Sequence, residues 1–275
     1  MLVGERGAST GDVLVENMEV ITPIKEVRAQ RQSRVNAWYG TANEDVLEHL
    51  RSIQRGSKIC DPRGKRIEVV HEPWGWIETD NHGRTHGANV RKEAAVHEAG
   101  HCVSAFVLGS YPEEARVFKS RGAKSFGYFH CLASIHGCSI ESVRRTVETT
   151  GFTQEQGLLA ASCRVIELCA GVEAAKHVGG VARADEKGFN DDWKTRNLLD
   201  VFPDLDECYL RGLAAELVVF YASAVKAVAI ELYRESRLFT NALLSAAVSG
   251  FGPDFRIHPR NRWALNVGPY GAGLH

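Results

Sequence analysis

Two apolar stripes run side by side along residues 205–233. Leu210, Leu213, Leu217 and Phe220 form one; Val218, Tyr221, Val225, Val228 and Leu232 form the other. Both follow the 3.6-residue period, so the spacing predicts one continuous helix from Leu205 to Tyr233. A helix that is apolar on two sides must be covered on two sides, which places it at the centre of a bundle. The fold is therefore expected to be mainly α.

Other segments supply the covering elements. Val90–Leu108 reads as a helix closed by Gly109, and Thr153–Val178 as a longer one stopped by Gly179 and Gly180. In the latter, Leu158, Ala161, Val165, Ile166, Cys169 and Val172 share a face. Shorter helices are expected over Ser139–Thr149 with Ser139 as N-cap, over Asn190–Leu199 and over Thr240–Ser249. Glu114–Phe118 and Ser125–Cys131 read as two strands around the turn Ser120-Arg-Gly-Ala-Lys124.

Outside this region the signals thin out. Residues 1–40 read as a flexible N-terminal segment and residues 250–275 as a C-terminal tail rich in Gly, Pro and Arg. Residues 41–89 form a small extension: a helix from Asn43 to about Arg55, a strand or hairpin over Ile67–Ile77, and a polar loop over Asn81–Gly87. Trp74, Trp76 and Trp193 are expected to be packing anchors.

Composition excludes several classes of function. The chain has 275 residues, 44% hydrophobic and 24% charged, with a net charge of −1. That balance argues against a general nucleic-acid or anionic-membrane binder, both of which need a cationic surplus. Lys25–Arg66 does carry ten Lys/Arg against five Asp/Glu, and reads as a solvated face. The uncharged runs Leu217–Val225, Ser125–Ile140 and Leu238–Pro253 are too short or too polar to span ~30 Å of hydrocarbon. Glu5, Asp12 and Glu16 sit where a signal peptide would need an apolar run. The cysteines Cys60, Cys102, Cys131, Cys138, Cys163, Cys169 and Cys208 are scattered and odd in number, which fits reduced thiols. A soluble cytoplasmic protein is the expectation.

His97-Glu-Ala-Gly-His101 carries the chemistry. Residues four apart on a helix differ by about 40° in direction, so both imidazoles leave one face. Such a pair supplies two of the three protein ligands of a catalytic zinc, whose fourth position holds water. Zinc lowers the pKa of that water to about 7, and Glu98, beside the first ligand, is placed to accept its proton. Gly100 in mid-helix costs about 1 kcal/mol relative to Ala, which implies a close neighbour.

The third ligand lies elsewhere. The variant with Gly and His three and six residues on is excluded by Ser104 and Val107. Glu141, Glu155, Glu167, the pair Asp185-Glu186 and the pair Asp191-Asp192 remain as candidates. His130, His136 and His177 read as surface or helix-end histidines.

Four ordered blocks resemble the peptidase domain of the FtsH-type AAA+ zinc proteases. They are Glu93-Ala-Ala-Val-His-Glu-Ala-Gly-His-Cys-Val-Ser-Ala105, Ala115-Arg-Val-Phe-Lys-Ser-Arg-Gly-Ala-Lys-Ser-Phe-Gly-Tyr128, Glu167-Leu-Cys-Ala-Gly-Val-Glu-Ala-Ala175 and Gly188-Phe-Asn-Asp-Asp-Trp-Lys-Thr-Arg-Asn-Leu198. The resemblance spans residues 90–249. It implies a helical, zincin-like metallopeptidase domain with a small sheet packed beside the H-E-x-x-H helix. It further implies an endopeptidase whose polypeptide substrate binds as an added strand. Aligned on Asn190, it makes Asp191 the third zinc ligand, with Asp192 as the alternative one residue on.

The chain also departs from the family. Lys176 and His177 stand where acidic residues are usual. No ATPase module is legible: Gly122-Ala-Lys-Ser125 lacks the Gly-Lys step of a phosphate loop, and Val117 occupies the position of its first glycine. ATP is therefore not expected, and a monomer or small oligomer is. Two further readings stay open: a catalytically silent interaction module, and a regulatory protease that cuts a dedicated repressor or partner.

Overall fold

The computed structural model describes residues 58–60, 66–68, 73–118, 127–133 and 135–251. The fold is mainly helical, with a small antiparallel sheet. A two-stranded ladder pairs β1 (Lys58–Cys60) with β2 (Arg66–Glu68). Seven helices follow among the described residues: α1 (Ala88–Leu108), α2 (Ile140–Thr150), α3 (Gln154–His177), α4 (Phe189–Val201), α5 (Glu207–Phe220), α6 (Ala222–Glu235) and α7 (Thr240–Phe251). A 3₁₀ turn, Ala184–Lys187, precedes α4. The three-stranded sheet has the order β4-β3-β5, with β3 at Tyr111–Val117, β4 at Gly127–Leu132 and β5 at Arg237–Phe239.

Helices α1 and α3 form the central pair. They meet where side chains are smallest. A Cβ on Gly100 would lie 2.4 Å from the Ala170 carbonyl oxygen and 2.6 Å from the Ala174 Cβ. The close neighbour implied by a mid-helix glycine is thus the backbone of α3. Around this crossing Val96, Ala99, Val103, Val165, Ile166 and Ala170 are fully buried. At about 25 cal/mol per Å² of apolar surface, such side chains are the main source of stability.

Helix ends follow local chemistry. The Ser139 hydroxyl accepts from the Ser142 N–H at the start of α2 (3.1 Å). Thr153 and Gln156 form a reciprocal capping box at α3, each side chain accepting from the other's backbone N–H (3.2 and 2.9 Å). Gly109 ends α1 at φ 88°, a left-handed conformation that a Cβ disfavours.

The expected single helix from Leu205 to Tyr233 is two. Helices α5 and α6 meet at 77° around Tyr221, whose φ of −99° and ψ of 25° leave the helical region. The bend reconciles the two stripes: α5 packs on α3, and α6 packs on α1. Two faces are therefore buried by a turn of the backbone rather than by one helix at the centre. Phe220, assigned to the first stripe, is half exposed at the bend. Among the described residues no single helix is long and apolar enough to cross a membrane; α5 and α6 pass that test only as a bent pair.

The sheet is larger than a hairpin. β3 pairs with β4 on one side, Ala115 facing Phe129, and with β5 on the other, Ala115 facing Leu238. Of the stretch read as a strand or hairpin over Ile67–Ile77, the described residues at its start lie in β2, and residues 69–72 lie outside the described residues. From Pro73 onward it turns: Trp74 and Trp76 stack at 4.4 Å, and the Trp74 N–H donates to the Val178 carbonyl (2.8 Å). Indole packing, not strand alternation, explains that apolar pattern. The expected helix Asn43–Arg55, the flexible segment 1–40, the turn Ser120–Lys124 and the tail from residue 252 lie outside the described residues.

Candidate metal centre

α1 delivers His97 and His101 from one face, as their spacing requires. The first turn of α4 delivers Asp191. Asp191 Oδ2 lies 3.2 Å from His97 Nε2 and 3.3 Å from His101 Nε2, and the two Nε2 atoms are 3.0 Å apart. These three side chains could hold a metal ion. Burial alone would raise the Asp191 pKa, but the two imidazoles hold its carboxyl well below the usual carboxylate range.

The backbone of α3 orients one imidazole. His101 Nδ1–H donates to the Glu167 carbonyl oxygen (2.7 Å), which leaves Nε2 as the ring nitrogen that faces Asp191 and His97. Gly171, one turn further along α3, makes room for both rings. A Cβ there would lie 2.5 Å from His101 Nε2 and 2.8 Å from His97 Nε2. Phe129 of β4 lies parallel to the His101 ring at 6.1 Å.

Glu98 is buried, and burial pushes its carboxyl up to about 7. Gly127, the first residue of β4, covers it; a Cβ on Gly127 would sit 2.5 Å from Glu98 Cγ. Glu98, the two histidines and Asp191 line one cleft of about 350 Å³, together with Gly127, Tyr128, Phe129, Arg164, Asn190 and Lys194. Lys194, one turn past Asp191, holds its ammonium 3.8 Å from Asp191 Oδ1.

The other candidates point elsewhere. Glu167 is buried, but its carboxylate accepts from Ser110 and pairs with Arg164 (2.8 Å), so it meets the site only through its carbonyl. Asp192 faces away from its neighbour and pairs with Arg211 (3.2 Å). Adjacent helical residues diverge by about 100°, which separates the two aspartates. Glu141 and Glu155 are exposed on the first turns of α2 and α3. Asp185 is exposed and pairs with Lys176 (2.6 Å); the Glu186 side chain lies outside the described set. His130 pairs with Glu113 (2.9 Å) and His177 with Glu173 (3.3 Å), while His136 is half-buried ahead of α2.

Trp193, expected to anchor the bundle, is 48% exposed. It follows Asp192 on the outer side of α4, where the backbone direction leaves it no core to enter. Two residues that shape the site carry no ligand chemistry, Gly171 and Gly127. A mid-helix glycine is a signal, and Gly171 carries it as plainly as Gly100 does. Cys102, Cys131, Cys138, Cys163, Cys169 and Cys208 are all free thiols.

No family model, no curated protein and no solved structure matches this chain.

Proposed function

We propose that this chain is a zinc-dependent, ATP-independent endopeptidase of the FtsH type, with His97, His101 and Asp191 as its zinc ligands. The observation that carries the reading is the spacing of the three donor atoms, 3.0, 3.2 and 3.3 Å, beside a buried Glu98. A tetrahedral zinc bound at about 2.0–2.1 Å sets its ligand atoms roughly 3.3 Å apart, and two nitrogens with one carboxylate oxygen are a donor set that it favours. The ring orientation set by the Glu167 carbonyl and the space left at Gly171 fit the same ion. Bound zinc supplies a Lewis acid that brings the pKa of a coordinated water to about 7.

The residues of the cleft do the rest. Glu98 takes the proton of the attacking water as the C–O bond forms and then returns it to the amide nitrogen, on which the C–N bond breaks. Lys194 presents positive charge in the cleft wall, where it opposes the charge that develops on the scissile carbonyl oxygen. Of the two cations that line the cleft, Arg164 pairs closely with Glu167 (2.8 Å) and Lys194 more loosely with Asp191 (3.8 Å). Among the described residues β4 is at one edge of its sheet, and Gly127, Tyr128 and Phe129 line the cleft. A polypeptide in extended form added to that edge is held in register across the ligand cluster. A buried Glu98 in the cleft favours this reading over a silent interaction module, which has no use for a base.

Hydrolysis of an unfolded protein such as casein, assayed with and without a chelator and in Glu98→Gln, tests the proposal. Zinc-dependent cleavage that the variant lacks supports it; cleavage indifferent to both contradicts it.

A further inference from the structure

Behind the ligand cluster, on the side of α4 away from the cleft, a single guanidinium joins four elements. Arg211 of α5 pairs through Nη2 with Asp192 of α4 (3.2 Å) and with Glu207 one turn before it (3.5 Å). Through Nη1 it reaches Glu173 of α3 (3.4 Å) and Asp185 of the 3₁₀ turn (3.6 Å). Glu173 is itself buried, two residues past the glycine that makes room for the imidazoles. The guanidinium therefore holds both walls of the site, α3 through Glu173 and α4 through Asp192.

Helix α4 needs such a hold. Its N-terminus has no side-chain cap, and the Asp191 and Asp192 N–H groups both donate to the Gly188 carbonyl (3.0 and 2.9 Å). Gly188 presses against α3, where a Cβ on it would lie 2.7 Å from Val172 Cγ2. With the axis seated there, rotation about it decides which aspartate meets the histidines. Neighbouring side chains are about 100° apart, so an anchor on Asp192 sets the direction of Asp191.

We propose that Arg211 is a positioning residue for the metal centre: by clamping Asp192 to Glu173 it fixes the rotation of α4 and aims Asp191 at His97 and His101. This rests on the metal reading above. Outer partners that orient a ligand typically change metal affinity 10–100-fold when removed. A planar guanidinium engages several carboxylates at once in a way that an ammonium reproduces only in part.

The test uses the full chain and three readouts: zinc affinity by chelator competition, the visible spectrum of the cobalt(II)-loaded protein, and thermal unfolding of the metal-free protein. Arg211→Met is expected to weaken zinc binding about 10–100-fold and to alter the cobalt bands. Arg211→Lys should recover part of both. Asp192→Asn, which keeps its volume, should shift both in the same direction by about three- to tenfold, and the double variant should be less than additive. If Arg211→Met does not fold, Asp192→Asn and Arg211→Lys decide alone. Zinc affinity and cobalt spectrum equal to wild type, whatever the unfolding temperature, overturn the clamp and leave the metal centre standing. A wild-type chain that binds neither zinc nor cobalt overturns the metal reading and the clamp with it.

Discussion

Gly171 lies against the His101 imidazole so closely that any Cβ on it would stand 2.5 Å from Nε2. The same Cβ would stand 2.8 Å from His97 Nε2, so both proposed ligands share one opening in α3. Gly171→Ala is expected to displace the rings and weaken zinc binding at least tenfold. Overpacking of this kind costs about 1–3 kcal/mol in stability. Zinc titration against a competing chelator checks it, and wild-type affinity in the variant would show that the opening is not needed.

Gly127 stands in the same relation to Glu98. Gly127→Ala pushes the carboxyl from its place without touching a ligand. Zinc content should hold while peptide hydrolysis falls about 10²-fold, the cost of misplacing a reacting group by about 1 Å. Loss of metal together with activity would mean that β4 supports the ligand cluster itself.

Glu98→Gln keeps the shape and removes the proposed base. Turnover should drop by about 10²–10⁴ with zinc retained at the wild-type level. A variant that still cleaves at near wild-type rate would remove Glu98 from the mechanism.

Some of this architecture is legible in residues alone. Ser139 caps α2 and Gly109 ends α1, because capping and left-handed stops are local chemistry that needs no partner. The i, i+4 spacing of His97 and His101 is equally local. The bend at Tyr221 is not: no proline marks it, and the apolar stripes run through it unbroken. It exists because α3 and α1 offer two surfaces in different directions, which is tertiary information. β5 has three residues and forms only because β3 has an open side. The approach of Asp191 to a pair of histidines some ninety residues earlier is also tertiary: the residues alone leave several acidic candidates, and the resemblance selects this one. Trp193 departs from the expected anchor because burial of tryptophan is a tendency, and here the exposed side of α4 decides.

The two aspartates should separate in titration. Asp191→Asn replaces a carboxylate oxygen that faces both imidazoles, and zinc affinity should fall by more than about 100-fold, beyond the range of outer partners. Asp192→Asn should cost about a tenth of that or less. The reverse order would move the ligand by one residue.

Glu167→Gln tests a structural role. Its carboxylate and Arg164 form a buried pair, and removal of one partner leaves a buried charge that costs about 3–5 kcal/mol. Urea denaturation should show that loss. Unchanged stability with loss of zinc would instead make Glu167 a ligand.

The central claim is that His97, His101 and Asp191 hold a zinc ion used for peptide hydrolysis. Elemental analysis of the protein purified without added metal, paired with casein hydrolysis before and after chelation, tests it most directly. About one zinc per chain is expected, with hydrolysis abolished by the chelator and restored by zinc. A chain that holds no zinc, or that cleaves casein as fast after the metal is stripped, would contradict it.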